Sequence, residues 1–178
     1  MLARLPVLPT PFERLFAEEY PRVVAIARRI LGERGEAEDV AQEVFALFVA
    51  QGDPVSAAAP GWLHLTTVRR AFNSVRSRKR RTQREDDFAD RGRPLLLAAQ
   101  SDADPSLAIV RGESAGEVTS AMRRLRDRDA SILALRYGGG LSYTELAQTL
   151  DVPVAHIGTL LARAERALRL EMTRATPR

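Results

Sequence analysis

The stretch Trp62 to Arg84 (WLHLTTVRRAFNSVRSRKRRTQR) constrains this chain more than any other. Trp62, Leu65, Val68, Phe72 and Val75 recur at three- and four-residue steps, the spacing that places side chains on one side of a helix. From Arg69 onward come eight bases, Arg69, Arg70, Arg76, Arg78, Lys79, Arg80, Arg81 and Arg84, without one acid among them. Such a helix needs an apolar surface for one side and either water or a polyanion for the other. Unpaired like charge works against a compact fold through self-repulsion, so a face laid on nucleic acid accounts for the pattern better than a solvated helix end.

An apolar share of 45% is enough for a packed core and argues against wholesale disorder. The formal charge of +4 is modest, but it is segregated: acids gather between Glu33 and Glu43, bases between Arg69 and Arg84. Two oppositely charged surfaces fit two different partners, although acids on a helix also serve simply as its wet face. The chain has no Cys, which excludes disulfides, thiolate zinc sites and Cys nucleophiles. His64 and His156, the only histidines, stand far apart in no triad or metal-ligand pattern, and there is no Gly-rich phosphate loop. The expectation is a protein that is not an enzyme and takes no cofactor or metal. No apolar run approaches a membrane span, and the start MLARLPVLPTPF lacks a signal peptide's apolar region and cleavage site, so a cytoplasmic protein without membrane insertion is expected.

In 178 residues there is room for one domain or two small ones. After a proline-rich leader, residues 12–31 carry an amphipathic pattern with a kink predicted at Pro21. A second helix is predicted over 36–51, with Val40, Val44, Leu47 and Phe48 inward and Glu36, Asp39 and Glu43 outward. Breakers fill 52–61 before the helix beginning at Trp62. Three complementary apolar stripes predict a small bundle, and no segment alternates as a strand does. Periodicity lapses between about Thr82 and Pro105, where acids, glycine and prolines predict a flexible linker, with Leu95 to Leu97 able to dock. The fold class expected is therefore all-α: a helical bundle over 1–81, a linker over 82–105 and a second helical domain over 106–178.

Within that second domain a helix is predicted over Arg126–Tyr137, closed by three glycines. Ser142 followed by Glu145 makes a capping box, so a short helix starts there and runs to about Leu150. After the turn Asp151-Val152-Pro153 a longer helix carries Ile157, Leu160, Leu161, Ala164 and Leu168 inward. A short helix, a tight turn and a longer helix outline a helix-turn-helix, whose second helix can enter a major groove. Arg163, Arg166 and Arg169 suit groove or phosphate contacts and equally a solvated face.

These stretches together resemble an extracytoplasmic-function (ECF) sigma factor, the compact two-domain class of bacterial transcription initiation factor. Phe12 to Phe48, with Ala37-Glu38-Asp39-Val40-Ala41-Gln42-Glu43-Val44-Phe45 within it, is similar to the family's polymerase-binding helices. Trp62 to Arg81 is similar to its promoter-melting helix, and Leu125 to Leu168 to its helix-turn-helix, entered through Leu141-Ser142-Tyr143-Thr144-Glu145-Leu146-Ala147. The resemblance implies that Glu38, Asp39, Gln42 and Glu43 dock on core RNA polymerase. It implies contacts to the minus-ten element of promoter DNA from Trp62, Arg69, Arg70, Asn73, Arg76, Arg78, Lys79, Arg80 and Arg81, the arginines on backbone and Asn73 near an extruded base. To the minus-thirty-five duplex it assigns Ser142, Tyr143, Pro153, Ala155, His156, Thr159, Arg163 and Arg166.

Three departures stand out. Gly158 and Leu160 occupy recognition-helix positions where the family usually has Lys and Arg, and Asn73 stands where an Asp is common. An anti-sigma partner and the arrangement of the two domains are not readable from the sequence. An autonomous helix-turn-helix repressor or activator is the alternative from another class. A sigma-like protein acting by protein contacts alone is a third.

Overall fold

The computed structural model describes residues 8–89 and 109–175, and all regular structure among them is helical. Helix α1 (Pro11–Leu31) opens on a full capping box: the Thr10 hydroxyl accepts from the Glu13 N–H, and the Glu13 carboxylate accepts from the Thr10 N–H at 2.7 Å. Pro21 lies on its exposed side, and one helix continues through it to Gly32, whose φ of 82° ends it. Helix α2 (Arg34–Gln51) buries Val40, Val44 and Phe48 as expected, together with Ala37, Ala41 and Phe45, while Leu47 is only half-buried.

Helix α3 (Ala59–Ala89) starts before Trp62 and runs past Arg81, so the first part of the predicted linker is helical. Residues 90–108, with Leu95 to Leu97, lie outside the described residues, as do residues 1–7 of the leader. The inward stripe of α3 is also turned from the predicted one. Leu63, His64, Thr67, Val68, Ala71 and Phe72 are buried, whereas Trp62 stays 37% exposed and rests on the Phe48 ring at 5.5 Å. The reason is that α3 is covered on two sides, by α1 and α2 and by a later helix, which widens its buried arc beyond a single stripe.

Helix α4 (Ile109–Arg124) leads into α5 (Asp127–Leu133), which continues as one π-turn over Ala134–Gly138. Helix α6 (Tyr143–Leu150) begins at the predicted Ser142–Glu145 capping box, and α7 (Val154–Ala175) follows the turn at Asp151, the one described non-glycine residue with positive φ. Both predicted helical units are present, but they are not separate in space: a single apolar cluster runs from Val23, Ile26 and Ile30 of α1 through Leu133 and Leu135 to Leu146 and Ile157.

Two features bring the units together. A Cβ added at Gly138 would lie 2.8 Å from the Ala25 carbonyl oxygen and 3.0 Å from the Ile26 Cα, so only glycine allows the π-turn this close to α1. Arg123 of α4 then donates to the carbonyls of Ile30, at 3.2 Å, and Leu31, which as the last residues of α1 have no partner in their own helix. Burial, and then the neighbouring charge of Arg78, lower the Arg123 pKa from its ordinary value. Inside the bundle, Glu19 and His64 form a buried pair, 2.7 Å between Oε2 and Nε2, that joins α1 to α3.

Gly138→Ala is expected to force α1 and the π-turn apart. Overpacking of this kind costs about 1–3 kcal/mol, a fall in Tm of roughly 2–10 °C for a chain this size. Melting followed by circular dichroism checks it, with scattering to detect a larger radius of gyration. A variant that melts and scatters like the parent would show that the close approach does not exist in solution.

Candidate nucleic-acid interface

The acidic side of α2 is built by register. Asp39, Gln42 and Glu43 fall opposite the buried Val40, Val44 and Phe48 and are exposed. Glu38 is drawn along the same helix to Arg34 at 2.7 Å, an i,i+4 pair, and Asp39 has no ionic partner among the described residues. Glu36, Asp39 and Glu43 form one wall of a groove whose other wall is Arg70, Asn73, Ser74 and Ser77 of α3. The two charged surfaces expected from sequence are thus adjacent, and Arg70 reaches Glu43 across the groove at 3.7 Å.

The bases of α3 divide by what they touch. Arg78 donates to Glu36 at 2.7 Å, while its Nη2 and the second Glu36 oxygen are buried without a partner, so it clamps α3 to α2 rather than standing free. Arg76 pairs with Asp127 of α5, and donates weakly to the Asn73 side-chain Oδ1 at 3.4 Å. Arg80 reaches only the Ser77 hydroxyl among the described residues, at 3.5 Å. Among the described residues Arg69, Lys79 and Arg81 are exposed with no acidic partner. The exposed positive stretch of α3 is therefore Lys79, Arg80 and Arg81, ahead of the acids Glu85, Asp86 and Asp87 in its last turns. Asn73 is exposed beside them, and Trp62 shows one edge at the start of the same helix.

In the helix-turn-helix, Ser142 caps α6 and Tyr143 stands 44% exposed with the Arg136 guanidinium 5.5 Å from its ring centre. Pro153, Ala155, His156 and Thr159 lie exposed along the turn and the first turns of α7, with Arg166 exposed further on. Arg163 is different: its Nε and Nη2 both donate to Asp129 Oδ1, at 3.2 and 2.8 Å. Asp129 is only 1% exposed and also accepts from Arg126, so it is a buried acid satisfied by two guanidiniums. Leu160 faces inward toward α3, and Gly158 lies against the Tyr143 ring, where an added Cβ would meet nothing closer than 3.9 Å.

Several of these residues were open to detection beforehand. Glu19 falls between Leu15 and Val23 on the apolar stripe of α1, a position that demands a buried partner, and His64 is that partner. Phe12, Phe16, Tyr20 and Phe45 form an aromatic cluster beside the acidic helix, with Phe16 and Tyr20 stacked at 4.9 Å. Asp127 and Asp129 carry no sequence signal beyond favourable acids in a first helical turn. The Glu145 carboxylate is held below its ordinary pKa by the Ser142 N–H, then by the Ser142 hydroxyl, with the Arg22 guanidinium of α1 adding to both.

The model for sigma-70 region 2 matches residues 15–81, and that for sigma-70 region 4 matches residues 121–170. The chain is 30% identical over 161 residues to the ECF RNA polymerase sigma factor SigK of Mycobacterium tuberculosis, covering 86% of this chain and 82% of that one. It is 26% identical over 156 residues to SigW of Bacillus subtilis, covering 85% and 83%. Among solved structures, the sigma factor RpoE of Bartonella quintana, crystallised with the anti-sigma factor NepR, matches with a TM-score of 0.53 at 20% identity over 93% of this chain and 98% of that one.

A carboxylate with a lowered folded-state pKa stabilises the folded chain above its unfolded pKa, and that contribution is lost as pH falls through the folded value. Glu145→Gln, which leaves an acceptor for the Ser142 N–H but no charge, should therefore flatten the acid limb of the stability curve below the ordinary glutamate range. Urea unfolding at stepped pH measures this, and a slope equal to the parent's would mean that the cap does not hold the charged form.

Proposed function

The chain belongs to the ECF RNA polymerase sigma factors, and on that premise we propose how its surfaces divide the work of directing polymerase to promoters. Asp39, Gln42 and Glu43 of α2 are the docking face for core polymerase, with Glu38 at its edge. Asp39 there is exposed with no ionic partner among the described residues, and Glu43 is held only by the exposed Arg70 at 3.7 Å, which suits a surface for a basic partner. The aromatic cluster of Phe12, Phe16 and Tyr20 continues this face.

The end of α3 takes promoter DNA at the minus-ten element. The observation that carries this assignment is the exposed run Lys79, Arg80 and Arg81, with exposed Asn73 and Trp62 along the same helix. The cations hold phosphate and fix register, while Asn73 and the Trp62 ring offer hydrogen bonds and a stacking edge to unpaired bases. No bond is broken in such a step: binding to separated strands lowers the free energy of the open promoter relative to duplex. Arg78, being spent on Glu36, is a structural clamp in this scheme. Arg76 becomes available only when Asp127 lets go.

The helix-turn-helix takes the minus-thirty-five duplex through Ala155, His156, Thr159 and Arg166, with Ser142 and Tyr143 at the backbone. Arg163 contributes less in the closed form, because Asp129 holds it. With Leu160 turned inward, this recognition face is poor in cations. Weak upstream contact, leaving selection mainly to α3, is the second reading that these residues favour. Family membership makes an anti-sigma factor an expected regulator, and cytoplasmic action is proposed on the same ground.

Run-off transcription with purified core polymerase is the primary test: specific initiation should depend on this protein. Duplex binding at a defined operator without polymerase would favour an autonomous repressor. Asp39→Lys with Glu43→Lys should abolish co-purification with polymerase while moving stability little, since the exposed Glu43–Arg70 pair is worth about 0–1 kcal/mol. Retained co-purification would remove α2 from the interface.

Lys79→Ala with Arg81→Ala should reduce the salt slope of promoter binding by about two, near 0.9 for each phosphate contact. Arg78→Ala should leave that slope unchanged and lower Tm instead, because it strands Glu36. The opposite pattern would reverse the assignment of these three bases.

A further inference from the structure

A crevice of about 320 Å³ opens between the two helical units, bordering the α3 and helix-turn-helix faces through Arg69 and Arg163. One wall is α3, with Leu65, Val68 and Arg69; the other is Arg128, Ser131 and Ile132 of α5 with Leu150 and Leu160 of the helix-turn-helix. Leu65, Leu150 and Leu160 remain half-buried around it, so the packed units leave apolar surface uncovered at their seam. The volume lies at the lower end of the roughly 300–1,000 Å³ typical of small-ligand sites.

The charge at its rim has one sign. Arg69 and Arg128 stand on opposite walls, both exposed, and neither makes an ion pair or hydrogen bond among the described residues. Arg163 lies there too, held by Asp129, and among the described residues no carboxylate lines the crevice. An aliphatic floor excludes a bare inorganic anion as the fitting occupant, and two free guanidiniums exclude an amine or a neutral lipid. What complements both is an apolar body ending in an oxyanion, a group that a guanidinium fork holds through paired hydrogen bonds, as it does a carboxylate.

We propose that this crevice binds a medium-chain carboxylate amphiphile, the tail among Leu65, Val68, Ile132 and Leu160 and the carboxylate between Arg69 and Arg128. The ligand bridges α3 to α5 and α7, so it binds only while the units are packed together. By linkage it stabilises that closed form, and it occupies Arg69, a guanidinium otherwise open to phosphate. The binding itself does not rest on the promoter assignments; only its consequence for transcription does.

Titration calorimetry of the full chain, without polymerase or DNA, tests it with decanoate, decanoate methyl ester and decylamine. Decanoate is expected to bind saturably at one site per chain, and the ester and the amine at least about tenfold more weakly, the loss of one charge-assisted contact. Ser131→Trp fills the crevice and should abolish binding. Arg128→Ala, an exposed change that leaves the fold intact, should weaken it about tenfold if the carboxylate is held as described. Equal affinity for the ester, or undiminished binding in Arg128→Ala, would overturn the proposal, as would undiminished binding in a folded Ser131→Trp. If the titration succeeds and decanoate leaves run-off transcription unchanged, the site stands and its link to promoter engagement falls.

Discussion

The close approach of Gly138 to the Ala25–Ile26 backbone is the constraint on which the arrangement depends. Two small helical units with a few dozen apolar residues between them gain most by sharing a core, and they can share one only where backbone meets backbone without an intervening side chain. The π-turn over Ala134–Gly138 brings the glycine to that place, and Arg123 supplies the donors that the end of α1 lacks on its own. Burial of Ile26, Ile30, Leu133, Leu135 and Leu141 follows from these contacts.

Electrostatics then sorts the surface. A sequence that shows eight bases in a row of sixteen positions invites the view that all of them await a polyanion. Folding assigns Arg78 to Glu36, Arg76 to Asp127 and Arg70 to Glu43, and leaves Lys79 and Arg81 without an acidic partner among the described residues. The unpaired bases are therefore gathered on the stretch of α3 that the other helices leave exposed. The same sorting inside the helix-turn-helix ties Arg163 to Asp129, which leaves the polar His156 and Thr159 side chains exposed on the first turns of α7.

The three-helix bundle, the Ser142–Glu145 capping box and the helix-turn-helix were legible from periodicity and local chemistry, because those signals depend only on neighbours three or four residues away; the Thr10–Glu13 box and the full length of α3 were not read. The acidic face of α2 was legible for the same reason. What the sequence could not supply were pairings between distant segments: Arg76 with Asp127, Arg163 with Asp129, Glu19 with His64. The register of α3 failed for a related cause. A single stripe through Trp62 and Leu65 presumes one buried side, and α3 is covered on two, so Leu63, Thr67 and Ala71 became the inner residues.

The uninterrupted apolar cluster shared by α1, α4 and the π-turn has a thermal consequence. Parting the units brings Ile26, Met122 and Leu133 into water, and exposure of such surface raises heat capacity. The balance between packed and parted forms is thus curved in temperature: cooling weakens the association along with the hydrophobic driving force, and moderate warming strengthens it. A seam made mainly of ion pairs would respond foremost to salt. This seam combines the apolar cluster with the Arg76–Asp127 and Arg22–Glu145 pairs, so its packing is expected to depend on temperature as well as on ionic strength.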